Sequence, residues 1–128
     1  MDRTLRMSLD YLDFDYSEDA DGNGSFDALA SVNAAQLPQV HAEIAAVLRW
    51  AHAAFAERRG APEDGGEWDY DLQSRREFSL GETLSFDARS GSLSVEAGAS
   101  TPPRHTLSLS IGGSAAFCEA FRAEFEID

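Results

Sequence analysis

The run His105-Thr-Leu-Ser-Leu-Ser-Ile111, followed at once by Gly112-Gly113-Ser114, decides the fold class. Successive side chains of a strand point to opposite faces, so Leu107, Leu109 and Ile111 share one side and Ser108 and Ser110 the other. A strand of a parallel sheet, covered by helices on both faces, reads as an unbroken apolar run instead. This one is apolar on a single side and fits an antiparallel sheet with one face open. Ser114 then stands where a helix N-cap is wanted, ahead of Phe117, Ala120, Phe121 and Phe125 at helical spacing.

The same two-residue period recurs upstream. Trp68, Tyr70 and Leu72 alternate with Asp69, Asp71 and Gln73. Leu84, Phe86 and Ala88 alternate with Ser85 and Asp87, and Leu93, Val95 and Ala97 with Ser94 and Glu96. Ser90-Gly91 joins these last two runs into a hairpin, and Thr101-Pro-Pro103 breaks the chain after it. Near the start, Met7 to Tyr16 alternates with a phase slip at Tyr11-Leu12, which a β-bulge would absorb. The turn-rich stretch Glu18 to Gly24 predicts a hairpin with a second strand from Ser25 to Val32.

Between these strands and Trp68 the period changes. Leu37, Val40, Ile44, Val47, Leu48, Ala51 and Phe55 fall on one helical face, with Pro38 in the first turn. Arg58 and Arg59 suit the negative end of the helix dipole, and Gly60 suits its stop. The predicted fold is a two-layer α+β sandwich over residues 1–128, one domain, in the order ββαββββα. One mostly antiparallel sheet of about five or six strands would carry both helices on its apolar face. On that reading Trp68, Tyr70, Phe86, Leu93, Leu107 and Leu109 pack against Val40, Ile44, Leu48, Phe117 and Phe121.

Composition narrows the function. The 128 residues are 43% hydrophobic and carry 23 acids against 10 bases, a formal charge of −13 that repels a nucleic-acid backbone. All ten bases are Arg and none is Lys, which we read as genomic codon bias. No apolar run approaches the roughly 20 residues that span a bilayer, and the first residues do not lead into an apolar signal region. A single cysteine, Cys118, makes no internal disulfide, which suits the reducing cytoplasm. We expect a cytoplasmic protein that touches neither nucleic acid nor membrane.

Asp19-Ala-Asp21-Gly-Asn23-Gly24-Ser-Phe26-Asp27 resembles the front of an EF-hand calcium loop. Oxygen side chains occupy the first, third and fifth places, glycine the sixth and an apolar residue the eighth. The resemblance implies Asp19, Asp21 and Asn23 as calcium ligands. It departs at the twelfth place, where the family has a bidentate Glu and this chain has Ala30, and before the loop, where a strand pattern replaces a helix. The same residue types make a hairpin turn without any ion. Turn is the preferred reading, and no metal or cofactor is expected.

Other candidates for chemistry are thin. His41 and His52 lie 11 residues apart on one helix, about 16 Å along its axis, too far to share a metal. His105 has no paired ligand nearby in sequence. No Gly-x-Ser-x-Gly elbow is present, and Cys118 sits on the edge of an apolar stripe, as a buried thiol does. Gly112-Gly113-Ser114 could aim backbone N–H groups at an anion but lacks the further residues of a phosphate loop.

The carboxylates are the stronger signal. Asp13 and Asp15 on the first strand, and Asp69 and Asp71 on the third, point away from the core. Such exposed carboxylates serve first as a solvated acidic face that keeps a small protein soluble, and a catalytic pair would need one of them buried. As a functional site they are the partner-binding residues this reading selects, facing a basic protein surface. The function expected is that of a non-catalytic binding module, inhibitor-like, immunity-like or accessory. A calcium module on the Asp19–Asp27 loop is the alternative, and an enzyme whose site is scattered in sequence is the second.

Overall fold

The computed structural model describes residues 9–127. The chain runs β1 (Asp15–Glu18), β2 (Gly24–Asn33), α1 (Leu37–Ala54), β3 (Trp68–Glu77), β4 (Leu80–Asp87), β5 (Ser92–Ser100), β6 (Arg104–Gly113) and α2 (Ala115–Phe125). This is the expected order ββαββββα, in an α+β fold whose strand pairs are antiparallel.

Four strands make the main sheet, in the order β1-β2-β6-β3, and β4 and β5 form a separate two-stranded sheet. That corrects the expectation of five or six strands in one sheet. The cause lies in strand lengths. β2 pairs with β6 from Gly24–Gly113 to Asn33–Arg104, and β3 pairs with β6 over the same span. Past the Arg104 end of β6, no third strand among the described residues continues alongside the β4–β5 pair. Pro102 and Pro103 have no N–H to offer a ladder, so the ribbon is interrupted there. Ser79 and Thr101 tie the neck together, each backbone N–H donating to the other residue.

One parity of the main sheet forms the floor of the core. Phe26, Ala28, Ala30 and Val32 of β2 stand beside Ile111, Leu109 and Leu107 of β6, with Trp68 on β3, all buried. From above come Val40, Ile44, Val47 and Ala51 of α1 and Phe117, Phe121 and Phe125 of α2. Phe26 stacks on Phe121 with ring centroids 4.3 Å apart, and Trp68 lies parallel to Phe117 at 5.7 Å. Phe86 and Leu93 were expected in this layer. They are 65% and 64% exposed instead, because among the described residues no helix overlies their hairpin.

The first strand is shorter than its alternation predicts. Met7 lies outside the described residues; Leu12 and Phe14 are buried, yet only Asp15–Glu18 pairs with β2. The backbone N–H groups of Asp10, Tyr11 and Leu12 donate instead to the Glu43 carboxylate on α1, at 2.7, 3.0 and 3.0 Å. A charged acceptor replaces the ladder, so the segment crosses to the helix rather than joining the sheet.

Helix α1 also ends at Ala54, more than one and a half turns before Gly60. Glu57 adopts a left-handed conformation, and the Phe55 carbonyl accepts from the Trp68 indole N–H at 3.2 Å. Arg58 and Arg59 therefore lie past the helix and pair with Glu67 and Asp69 rather than with the helix dipole. Helix α2 starts as expected: the Ser114 hydroxyl accepts from the Phe117 N–H at 3.2 Å.

Candidate protein-binding surface

The face of the sheet turned away from the helices carries the other parity of every strand. Register places Asp15 of β1 opposite Asp27 of β2, Asp27 opposite Ser110 of β6, and Ser110 opposite Asp71 of β3. One polar row thus crosses the sheet with a carboxylate pair at one end and a single carboxylate at the other. The next row holds Leu29, Ser108 and Gln73, and Leu29 is 66% exposed.

The four aspartates singled out by alternation do not make one patch. β1 and β3 are the opposite edges of the sheet, three strand spacings of about 4.8 Å, or roughly 14 Å, apart. That exceeds a Debye length of about 8 Å at physiological salt, so the two edges act nearly independently.

The two edges also differ in kind. Asp69 accepts from the Arg59 Nε at 2.7 Å and from the Tyr70 N–H at 2.9 Å. The Arg59 guanidinium, helped by that backbone N–H, holds the Asp69 carboxyl below the usual carboxylate range. Arg59 also lies over the Tyr70 ring, 4.5 Å from its centroid. Asp69 is thereby spent on internal structure, and Asp71 accepts from Gln73 at 2.9 Å. At the other edge Asp13, Asp15 and Asp27 have no cation beside them among the described residues. Together with Leu29, Ser108 and Ser110 they line a shallow groove of about 440 Å³.

Asp27 is the residue that alternation missed. It belongs to the calcium-like stretch in sequence, but its register opposite Asp15 puts it on the outer face. The stretch itself is the turn of the β1–β2 hairpin. The Asp19 carboxylate accepts from the backbone N–H groups of Asp21 and Asn23, at 2.9 and 3.0 Å, and Gly22 takes a positive φ of 86°. Strands flank it on both sides where an EF-hand has helices. Among the described residues no group of three or more His, Cys, Asp or Glu is placed to hold a metal ion.

The remaining sequence candidates resolve into structure. A cleft of about 650 Å³ opens beside Gly112, Gly113 and Ser114, but Glu18, Asp19, Glu67 and Asp69 line it and disfavour an anion. The two glycines are there because strands crowd them: a Cβ on Gly112 would lie 2.3 Å from the Gly24 carbonyl oxygen, and one on Gly113 2.0 Å from that of Glu67. Cys118 is 2% exposed, with its thiol toward the Gly113 carbonyl. His52 packs edge-on against Trp68 at 4.9 Å, and His41 lies on the rim of a recess between α1 and β3.

The chain matches no protein-family model, no curated protein and no solved structure. Among the described residues no helix is long and apolar enough to cross a membrane.

Proposed function

We propose that this is a small, acidic, cytoplasmic, non-catalytic protein that binds a basic protein surface, in the manner of an inhibitor, immunity or accessory protein. The observation that carries the reading is the pair of aspartates at 15 and 27, facing each other across β1 and β2 with Asp13 in the same groove and exposed Leu29 beside them. Like charges directly opposite each other weaken a strand pair, and a cation supplied from outside would relieve this. An Arg or Lys side chain fits such a groove in both its parts. Its apolar stem would lie on Leu29 and its charged head between the carboxylates.

An arginine-rich peptide, titrated by calorimetry at low and physiological salt, tests this. Replacing Asp13, Asp15 and Asp27 together by Asn should weaken binding and flatten its salt dependence, and Leu29→Ser should weaken it further. Replacing Asp69 and Asp71 should change little, because one is paired with Arg59 and both sit at the far edge. Equal losses from the two sets would mean that net charge alone attracts the peptide, and the proposal would fail.

A further inference from the structure

Eight large hydrophobic side chains stand exposed among the described residues, and six of them lie between Phe78 and Val95. Leu84 is opposite Val95 and Phe86 opposite Leu93, so these four form one continuous face of the β4–β5 hairpin, each 60% to 65% exposed. The other face is polar, with Thr83, Ser85 and Asp87 opposite Glu96, Ser94 and Ser92. No residue of the hairpin is buried. A two-stranded ribbon with a bare apolar face is marginally stable in water at best, so this amphipathic arm calls for a cover.

We infer that the cover is a second copy of the chain, the two hairpins packing apolar face to apolar face about a twofold axis. An axis between the Leu84–Val95 and Phe86–Leu93 rows lays each row on the other row of the second copy, which is what an isologous interface requires. The same axis decides the charges. Glu82 lies one row nearer the neck on the apolar face, opposite Ala97, and Arg89 lies in the turn at the tip. Inverting one arm on the other brings each Glu82 against the turn that carries Arg89 of the second copy. Neither side chain has an ion-pair partner among the described residues of its own chain. Between Leu80 and Ser100 the charges are only Glu82, Asp87, Glu96 and Arg89, so two arms meet with little of the repulsion that −13 imposes on the whole molecule.

The area is that of a weak, reversible pairing. Each of the four side chains on this face offers on the order of 100 Å², so two arms bury roughly 800 Å² through them, within the range of transient contacts and consistent with a dimer that dissociates on dilution. This proposal stands apart from the acidic groove, which is on the main sheet.

Sedimentation equilibrium of the full chain tests it. A concentration-dependent dimer is expected, with Phe86→Ser or Leu93→Ser weakening it tenfold or more. Tryptophan emission should not move in either variant, because both tryptophans pack among the core aromatics and neither is in the arm. Glu82→Arg and Arg89→Glu should each weaken the dimer, and the double exchange should restore it, a rescue that only a second copy produces. A single monomeric species at every loading concentration would overturn the inference. So would a dimer indifferent to Phe86→Ser, a double exchange that restores nothing, or a hairpin whose amides gain protection only when a different protein is added.

Discussion

Asp15 and Asp27 sit directly opposite each other in the β1–β2 ladder, two carboxylates with no cation between them among the described residues. Like-charged cross-strand neighbours oppose the pairing that holds them, so this corner of the sheet is less stable than its geometry allows. Asp27→Asn should therefore stabilise the protein by about 0.2–1 kcal/mol at low ionic strength. The gain should shrink as salt screens the exposed pair, which urea denaturation at two salt concentrations measures.

Tyr16 supplies a pH dependence of definite sign. Its hydroxyl donates to Glu18, and this bond, with partial burial and the nearby Cys118, pushes its pKa from 10.0 up to about 12. The folded protein thus holds the phenolic proton more tightly than the unfolded chain. That contribution to stability is fully present below pH 10 and should be lost as pH rises from about 10 through 12. Absorbance titration of the tyrosinates should show one late-titrating group, absent from Tyr16→Phe.

Phe121 and Phe86 provide a contrast that separates core from arm. Phe121 is fully buried between Phe14, Phe26 and Trp50, and Phe121→Ala should cost about 3–5 kcal/mol. Ile44→Ala should cost about 2–5 kcal/mol for the same reason. At dilutions that dissociate any dimer, Phe86→Ala should leave the melting of the main domain unchanged.

Gly112 and Gly113 should not tolerate even a methyl group. The backbone would have to give by about 1 Å at Gly113, where a Cβ would fall 2.0 Å from the Glu67 oxygen and real contacts stay above 3.0 Å. Gly113→Ala should cost about 1–3 kcal/mol or more, as overpacking does, and should be the costlier of the two alanine changes. Thermal melts of both variants would rank them.

Glu43→Gln should loosen the N-terminal segment without unfolding the domain. The amide keeps the shape but loses the charge that three backbone N–H groups address, a change of about 1.5–3 kcal/mol for each bond lost outright. Faster hydrogen exchange at Tyr11 and Leu12, with exchange at Leu109 unchanged, is the expected signature.

The elements were legible in the sequence because nearly every strand buries one face only. Alternation at 105–111, 68–72 and 25–32 falls on the strands observed, and helical spacing falls on α1 and α2. Parity says which side of a strand is apolar, but not whether anything lies above it. Alternation therefore assigns the hairpin at 80–100 to the core, whereas it stands clear of it. The end of the first strand was hidden for another reason: Glu43 is remote in sequence, and nothing local reveals that it captures the N–H groups of residues 10–12. The candidate site was half legible. The outward carboxylates at 13, 15 and 71 follow from alternation, whereas strand order, which separates them, and the Arg59 that claims Asp69 depend on how distant segments meet.

The central position of β6 has a consequence for synthesis. β6 bridges β2 and β3, yet it is synthesised after both of them and after the hairpin between. Until it does, Phe26, Ala28 and Ala30 have no neighbouring strand on that side, and α1 has only a partial floor. Such long-range pairing is slow to form and leaves sticky surface open in the meantime. The nascent chain must therefore wait, with its apolar faces bare, for residues 104–113, and a chain cut short before β6 should go to chaperones or proteases rather than to a smaller fold.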